Sequence, residues 1–338
     1  MRVIIQIPCF NEEDCLLTTL HDLPRKLNGV DEVFWLVIND GSKDRTVEVA
    51  IQNGADCVVS HTRNLGLSRA FQTGLEACLW LGADIIVNTD ADNQYNAEDI
   101  QKLIDPILQG KADYVVGARP IKEIEHFSPI KKFLQKAGSK VVSRLSQIDI
   151  EDTTSGFRAM NRRTALKLNV FNEYTYTLET LIQSGQMKIA TVFIPIRVNA
   201  KTRPSRLISS TMNYLRRSAI IIFRSFLTYK PLKIFSTIGS IAILLAFVIM
   251  VRYLHYYFKG EGTGHIQSLL LAIILFIFGT SAWMFGMQAD LISVNRRLIE
   301  DVSQRVKRLE SKILNESAID LPDLTDARWD FLKKKNKT

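Results

Sequence analysis

Cysteine is scarce in this sequence. There are four in 338 residues, at Cys9, Cys15, Cys57 and Cys78, and no two form a CxxC pair. That excludes a disulfide-stapled secreted fold and any zinc-finger spacing, and predicts free thiols in a reducing compartment. The opening MRVIIQIPCFNEE does not read as a secretory leader, because its short apolar run meets acids at once. The soluble part is therefore expected in the cytoplasm. No interleaved basic and aromatic pattern of the RNA-binding kind occurs, so the net charge of +8 does not imply a nucleic-acid partner. Charge itself is absent from 266–288, and 234–258 carries only Arg252 and His255 near its end.

Those two apolar runs each exceed the length needed to cross a hydrocarbon core. The link between them, 259–265, is short and glycine-rich, so 234–290 reads as a two-helix transmembrane hairpin. Basic residues crowd its outer flanks while the link holds a single lysine, which predicts both termini on the cytoplasmic side of an inner or plasma membrane. Before the hairpin, 207–233 interleaves Arg216, Arg217, Arg224, Lys230 and Lys233 with apolar residues, as interfacial helices on anionic lipid do. A solvated charged face over an apolar core is the other reading. After it, Ile292, Asn295, Ile299, Val302, Val306, Leu309 and Ile313 step by threes and fours. Over 291–314 that pattern predicts a cytoplasmic helix, either a short coiled coil in a homo-oligomer or an amphipathic helix folded back on the first domain. The tail 315–338 is expected to be flexible.

The first domain, 1–206, has a different texture. Apolar strands at 2–8, 33–38, 55–60, 85–89, 113–118 and 191–196 alternate with helices such as 67–81, 97–108 and 175–186. This predicts an α/β fold with a parallel, doubly wound sheet. Ligands of such sheets bind beyond the carboxyl ends of the strands. Three polar clusters fall there: Pro8 to Glu12, Asp40 to Ser42, and Asp90 to Gln94. In the last, Asp90 and Asp92 leave a buried strand two residues apart and repel each other unless a cation lies between them. Hard oxygen ligands at such a place suit Mg²⁺ or Mn²⁺, which takes the rest of its shell from water and phosphate. A polar loop cap is the plain alternative. His61 and His126 have no partner spacing that points to a metal.

Taken in order, PCFNEE, NDGSKDRT, RNLGLSRAFQTGL, DADNQ and DTTSGFR resemble the family 2 glycosyltransferases with the GT-A (Rossmann-like) nucleotide-sugar-binding fold. With the hairpin added, the chain looks most like the polyprenyl-phosphate glycosyltransferases related to dolichyl-phosphate mannose synthase. The resemblance implies an inverting transferase that moves a sugar from a nucleotide-sugar donor to a polyprenyl (undecaprenyl or dolichyl) phosphate at the cytoplasmic membrane face. It assigns Pro8, Asn11, Glu12, Asp40 and Asp90 to the nucleotide, and Asp90, Asp92 and Gln94 to the metal. Arg119 in VVGARP, Lys132 and Lys136 on a basic helix, and Arg203 and Arg206 would receive the acceptor phosphate. The family often shows a glycine and a lysine where this chain has TRPSR. Asp152 would orient the acceptor or act as its base, with a turn cap as the alternative. Two other readings are a processive polysaccharide synthase and a non-catalytic membrane scaffold. The synthase lacks support because Arg328-Trp329 has no glutamine at the QxxRW spacing.

Overall fold

The structure, a computed structural model, describes residues 1–120, 143, 152–170, 175–199, 220, 223–224, 227–229, 231–260, 262–316 and 327–331. The chain divides into two compact units, Met1–Arg217 together with Gln304–Thr338, and Ser218–Ser303.

The first unit is built on an eight-stranded mixed sheet. Its strands are β1 (Arg2–Cys9), β2 (Glu32–Asn39), β3 (Cys57–His61), β4 (Ile85–Asn88), β5 (Tyr114–Ala118), β6 (Arg158–Asn161), β7 (Thr191–Pro195) and β8 (Ala327–Phe331), in the order β7-β5-β6-β4-β1-β2-β3-β8. Between them come helices α1 (Glu13–Asp22), α2 (Thr46–Gln52), α3 (Leu67–Trp80), α4 (Ile100–Leu108), α5 (Arg162–Lys167) and α6 (Tyr176–Gln186).

β1 reads as an apolar run, broken after Arg2 only at Gln6, because both of its faces are covered. Val3, Ile5 and Ile7 join one core cluster with Leu16 and Leu20 of α1 and Leu103 and Ile104 of α4. On the other face Gln6 meets α3 so closely that a Cβ on Gly74 would lie 2.5 Å from its amide oxygen. Such cover on both sides is what makes the strands uniformly hydrophobic.

The sheet departs from the all-parallel expectation in two places. β6 runs antiparallel to both β4 and β5, and β8 runs antiparallel to β3. β6 is inverted because the chain re-enters the sheet from the rim at which β4 and β5 end. β8 lies in the segment expected to be a flexible tail; residues 317–326 and 332–338 lie outside the described residues. Its sequence, ARWDF, alternates apolar and charged residues as a strand covered on one face does, but over only five positions.

The second unit holds α7 (Pro231–Phe258) and most of α8 (Ile266–Glu316). These are candidate membrane spans, with mean hydropathies of 2.6 and 2.2 in their most apolar windows. Most of their apolar side chains face outward, unlike those of a buried core helix. The pair packs through small residues. A Cβ on Gly239 would lie 2.6 Å from the Gly279 carbonyl, and Trp283 Nε1 donates to Ser240 Oγ at 3.3 Å. Close backbone approach of this kind is how helices associate where apolar burial gives no drive. The heptad segment is no separate element: it continues the second candidate span as one helix to Glu316.

Candidate active site

β1, β2 and β4 run parallel, so their carboxyl ends share one rim. The loops that leave β1 and β2 are laced together there. Asn11, at φ 53°, donates its backbone N–H to Ser42 Oγ, and its own Oδ1 accepts from Lys43 N, both at 2.9 Å. Glu12 N donates to Thr46 Oγ1 at 2.9 Å, and Glu13 N to Asp44 Oδ2 at 3.1 Å. Gly41 at φ 70° makes the turn, and a Cβ there would collide with the backbone of Arg63 and Asn64. Pro8, Asn11, Glu12 and Asp40 are thus brought to one place.

Asp40 is only 3% exposed, and its carboxylate is taken up by the protein. His61 Nδ1 donates to Oδ1 at 2.7 Å, Leu65 N to Oδ1 and Gly66 N to Oδ2, each at 2.8 Å. His61 is buried as well, with Nε2 3.0 Å from Thr73 Oγ1. Asp40 therefore braces the loop that opens α3. Sequence spacing shows no partner for His61, because the two residues meet only across β2 and β3.

β4 delivers the paired carboxylates. Asp90 is half-buried, and burial first, then the charge of Asp92, pushes its pKa up to about 7, against the offsetting pull of Arg119, Tyr95 and Arg158. The Tyr95 hydroxyl donates to Asp90 and accepts from Gly156 N at 2.9 Å. Burial, with the Asp90 charge behind it, drives the Tyr95 phenol upward. Asp92 Oδ1 accepts from Gln94 N at 3.2 Å. Gly156 has no room for a side chain, since a Cβ would lie 2.9 Å from both Asp90 oxygens. Beneath, Asn88 Nδ2 donates to the Gly156 carbonyl at 2.8 Å and to the Tyr176 hydroxyl at 2.9 Å, and Gln6 Nε2 donates to Asn88 Oδ1 at 2.8 Å.

This donor set fits a divalent metal. Two carboxylates whose mutual repulsion raises the pKa of one invite a cation. Two carboxylates on an ion leave positions open for water and phosphate oxygens. Mg²⁺ and Mn²⁺ tolerate that arrangement and a closed zinc site does not.

The same 152–156 loop holds a basic group. Arg119, just past β5, donates from Nε to Asp152 Oδ2 at 2.8 Å and from Nη2 to Oδ1 at 3.1 Å, and also bonds Thr154 Oγ1. Asp152 is fully buried. Burial raises its pKa, but the bonds and charge of Arg119 and the Thr154 contacts more than offset it and hold the acid below its ordinary range. Behind the loop lies Arg158, fully buried, donating to the Ser155 carbonyl at 2.8 Å, to Tyr114 at 2.7 Å and to Thr180 at 2.6 Å. Tyr95, Gly156, Asn88 and Arg158 are residues that sequence reasoning misses. DTTSGFR contains two of them, but the spacing does not reveal which residues face Asp90. Lys132, Lys136, Arg203, Arg206 and His126 lie outside the described residues, as does most of 207–233.

Residues 4–168 match the family described as glycosyl transferase family 2. The chain is 30% identical over 220 residues to the UDP-N-acetylglucosamine–dolichyl-phosphate N-acetylglucosaminyltransferase of Methanococcus voltae, covering 58% of this chain and 84% of that one. It is 25% identical over 316 residues to the glycosyltransferase AglJ of Haloferax volcanii, covering 91% and 97%. In fold it is similar to glucosyl-3-phosphoglycerate synthase from Mycobacterium tuberculosis, crystallised with Mn²⁺ and UDP-glucose. That similarity has a TM-score of 0.52 at 21% identity, over 66% of this chain and 78% of that one.

Proposed function

This chain belongs to glycosyl transferase family 2, and from that premise we propose that it moves a sugar from a nucleotide-sugar donor to a polyprenyl phosphate, at the cytoplasmic face of the membrane and with inversion. The observation that carries this reading is the 152–156 loop. At one end it touches Asp90, and at the other it holds Arg119 by a buried carboxylate. An anionic site suited to a cation and a cationic site suited to a phosphate are thereby fixed to one short segment. Transfer between two anionic substrates needs that pairing. The candidate spans and the dolichyl-phosphate acceptor named for the Methanococcus relative support a lipid acceptor.

Asp90, Asp92 and Gln94 would hold Mg²⁺ or Mn²⁺. When bound, such an ion offsets the charge of the departing nucleoside diphosphate. The laced loops at Asn11, Glu12 and Ser42 form the floor on which the nucleoside would rest, and Asp40 keeps the neighbouring 63–66 loop in place. Arg119 would face the acceptor phosphate, its guanidinium pre-oriented by Asp152. Asp152, with both oxygens committed and its acid held low, is built to aim Arg119 rather than to take a proton. A phosphate monoester with a second pKa of about 6 is largely ionised at neutral pH, so no strong base is required.

The test is nucleotide release by the detergent-solubilised chain, using UDP-, GDP- and CMP-sugars with and without undecaprenyl phosphate and Mn²⁺. Release that needs both lipid and metal supports the reading. Release indifferent to lipid would overturn the acceptor, and metal-independent release would overturn the role of Asp90 and Asp92.

A further inference from the structure

Beyond the apolar span, α8 carries a seam left open to solvent. Ile292, Ile299, Val302, Val306, Leu309 and Ile313 are 45–69% exposed, and Asn295 is the one polar position among them. In heptad terms Ile292, Ile299, Val306 and Ile313 are a positions, all β-branched, while Asn295, Val302 and Leu309 are d positions. From 300 to 312 every residue off this seam is polar or charged. A helix lying on lipid shows a broad apolar face, whereas the two-in-seven stripe of 299–313 fits the groove of another helix; only next to the apolar span do Leu291, Val294 and Leu298 widen the face.

The far side of the helix already has its place. Lys307, roughly 130° around from the seam, donates from Nζ to Asn169 Oδ1 at 2.7 Å and lies 3.9 Å from Glu76, with its side chain 18% exposed. Folding back on the first domain and pairing with a further helix, which the sequence leaves as alternatives, thus use different faces.

Charge and branching select the partner. In a parallel, in-register pair each g residue faces the next e residue across the seam. Arg305 then meets Glu310 of the partner subunit, and Leu298 meets Ser303 of the partner subunit, with no like-charged pair between them. β-branched residues at every a position, with Leu309 at d, fit two strands, and Asn295 finds a polar partner across the seam, its own copy, only when the two helices are in register. Helices leaving a bilayer through the same face can pair only in the parallel sense. We propose that a second copy of this chain occupies the seam, forming a parallel two-stranded coiled coil over 292–313.

The test uses the full chain in detergent and in nanodiscs. Val306→Cys should cross-link under mild oxidation into a two-chain species, while Gln304→Cys, on the outer f position, should not. Val302→Glu combined with Val306→Glu should weaken association at least about a hundredfold, because it buries unpaired carboxylates. It should also reduce the particle to one chain with unchanged far-UV circular dichroism. Equal cross-linking at 304 and 306 would overturn the proposal, as would a single-chain mass for the parent protein. A Val306→Cys label quenched by spin-labelled lipid would assign the seam to the bilayer instead. If the double variant does not fold, the contrast between the two cysteine variants still decides.

Discussion

The carboxylates at the end of β4 dominate the residue scale. Asp92→Asn keeps the volume and removes the charge, so the fold should persist while turnover falls by about a hundredfold or more. Near-parental rates with Mg²⁺ or Mn²⁺ would remove Asp92 from the metal set. Asp90 adds a pH dependence. Its carboxyl, pushed up to about 7 by burial and Asp92, holds a proton below that pH and must lose it to bind a cation. Apparent Mn²⁺ affinity should therefore fall by about tenfold per pH unit below 7 and level off above it. Titration of Mn²⁺ by electron paramagnetic resonance between about pH 5.5 and pH 8 would measure this, and a flat profile would contradict it. The Asp152–Arg119 pair makes a third prediction. Asp152→Asn leaves Arg119 without its bidentate partner and should lower kcat/KM for the lipid phosphate by about a hundredfold, through misorientation. Nucleoside-diphosphate binding should be unchanged. Equal losses for donor and acceptor would show a general structural role instead.

Elements differ in how plainly the sequence announces them. β1, β2, β4 and β5 are readable because cover on both faces demands continuous apolar runs, and α3 because Leu67, Phe71, Leu75 and Cys78 share one face. β6 is not readable. RAMN is four residues long, and its first side chain is the buried Arg158, whose charge disguises an interior strand. β8 escapes because its alternation, ARWDF, is only five residues long and its partner β3 lies more than 260 residues earlier in the chain. The site divides in the same way. Asp90, Asp92 and Arg119 stand at strand ends where a reader looks, whereas the partnership of Asp40 with His61 exists only once β2 and β3 lie side by side. β8 also supplies a test at this scale. Ending the chain after Glu316 bares the edge of β3 from Cys57 to His61. The melting temperature should drop by about 5 °C, and the truncated protein should aggregate more readily through the open edge. An unchanged melting curve would show that the added strand contributes nothing.

For the whole molecule, the order of elements along the chain constrains the topology. β3 comes before the two candidate spans and β8 after them, yet they are neighbours in one sheet. Strands on opposite sides of a bilayer cannot pair, so the chain must cross an even number of times between them. This agrees with the orientation expected from the distribution of lysine and arginine around the hairpin, with both ends on one side. Cysteine-accessibility labelling in sealed inverted vesicles should modify Thr338→Cys, at the carboxyl terminus, and leave Thr263→Cys, in the link, protected. The reverse pattern would invert the assignment. There is also a consequence for biosynthesis. Because β8 follows both hydrophobic helices in the sequence, those helices must be synthesised before the sheet can close. The nascent chain therefore carries the bare edge of β3 while its most hydrophobic segments emerge, a long-range pairing that comes late in its folding.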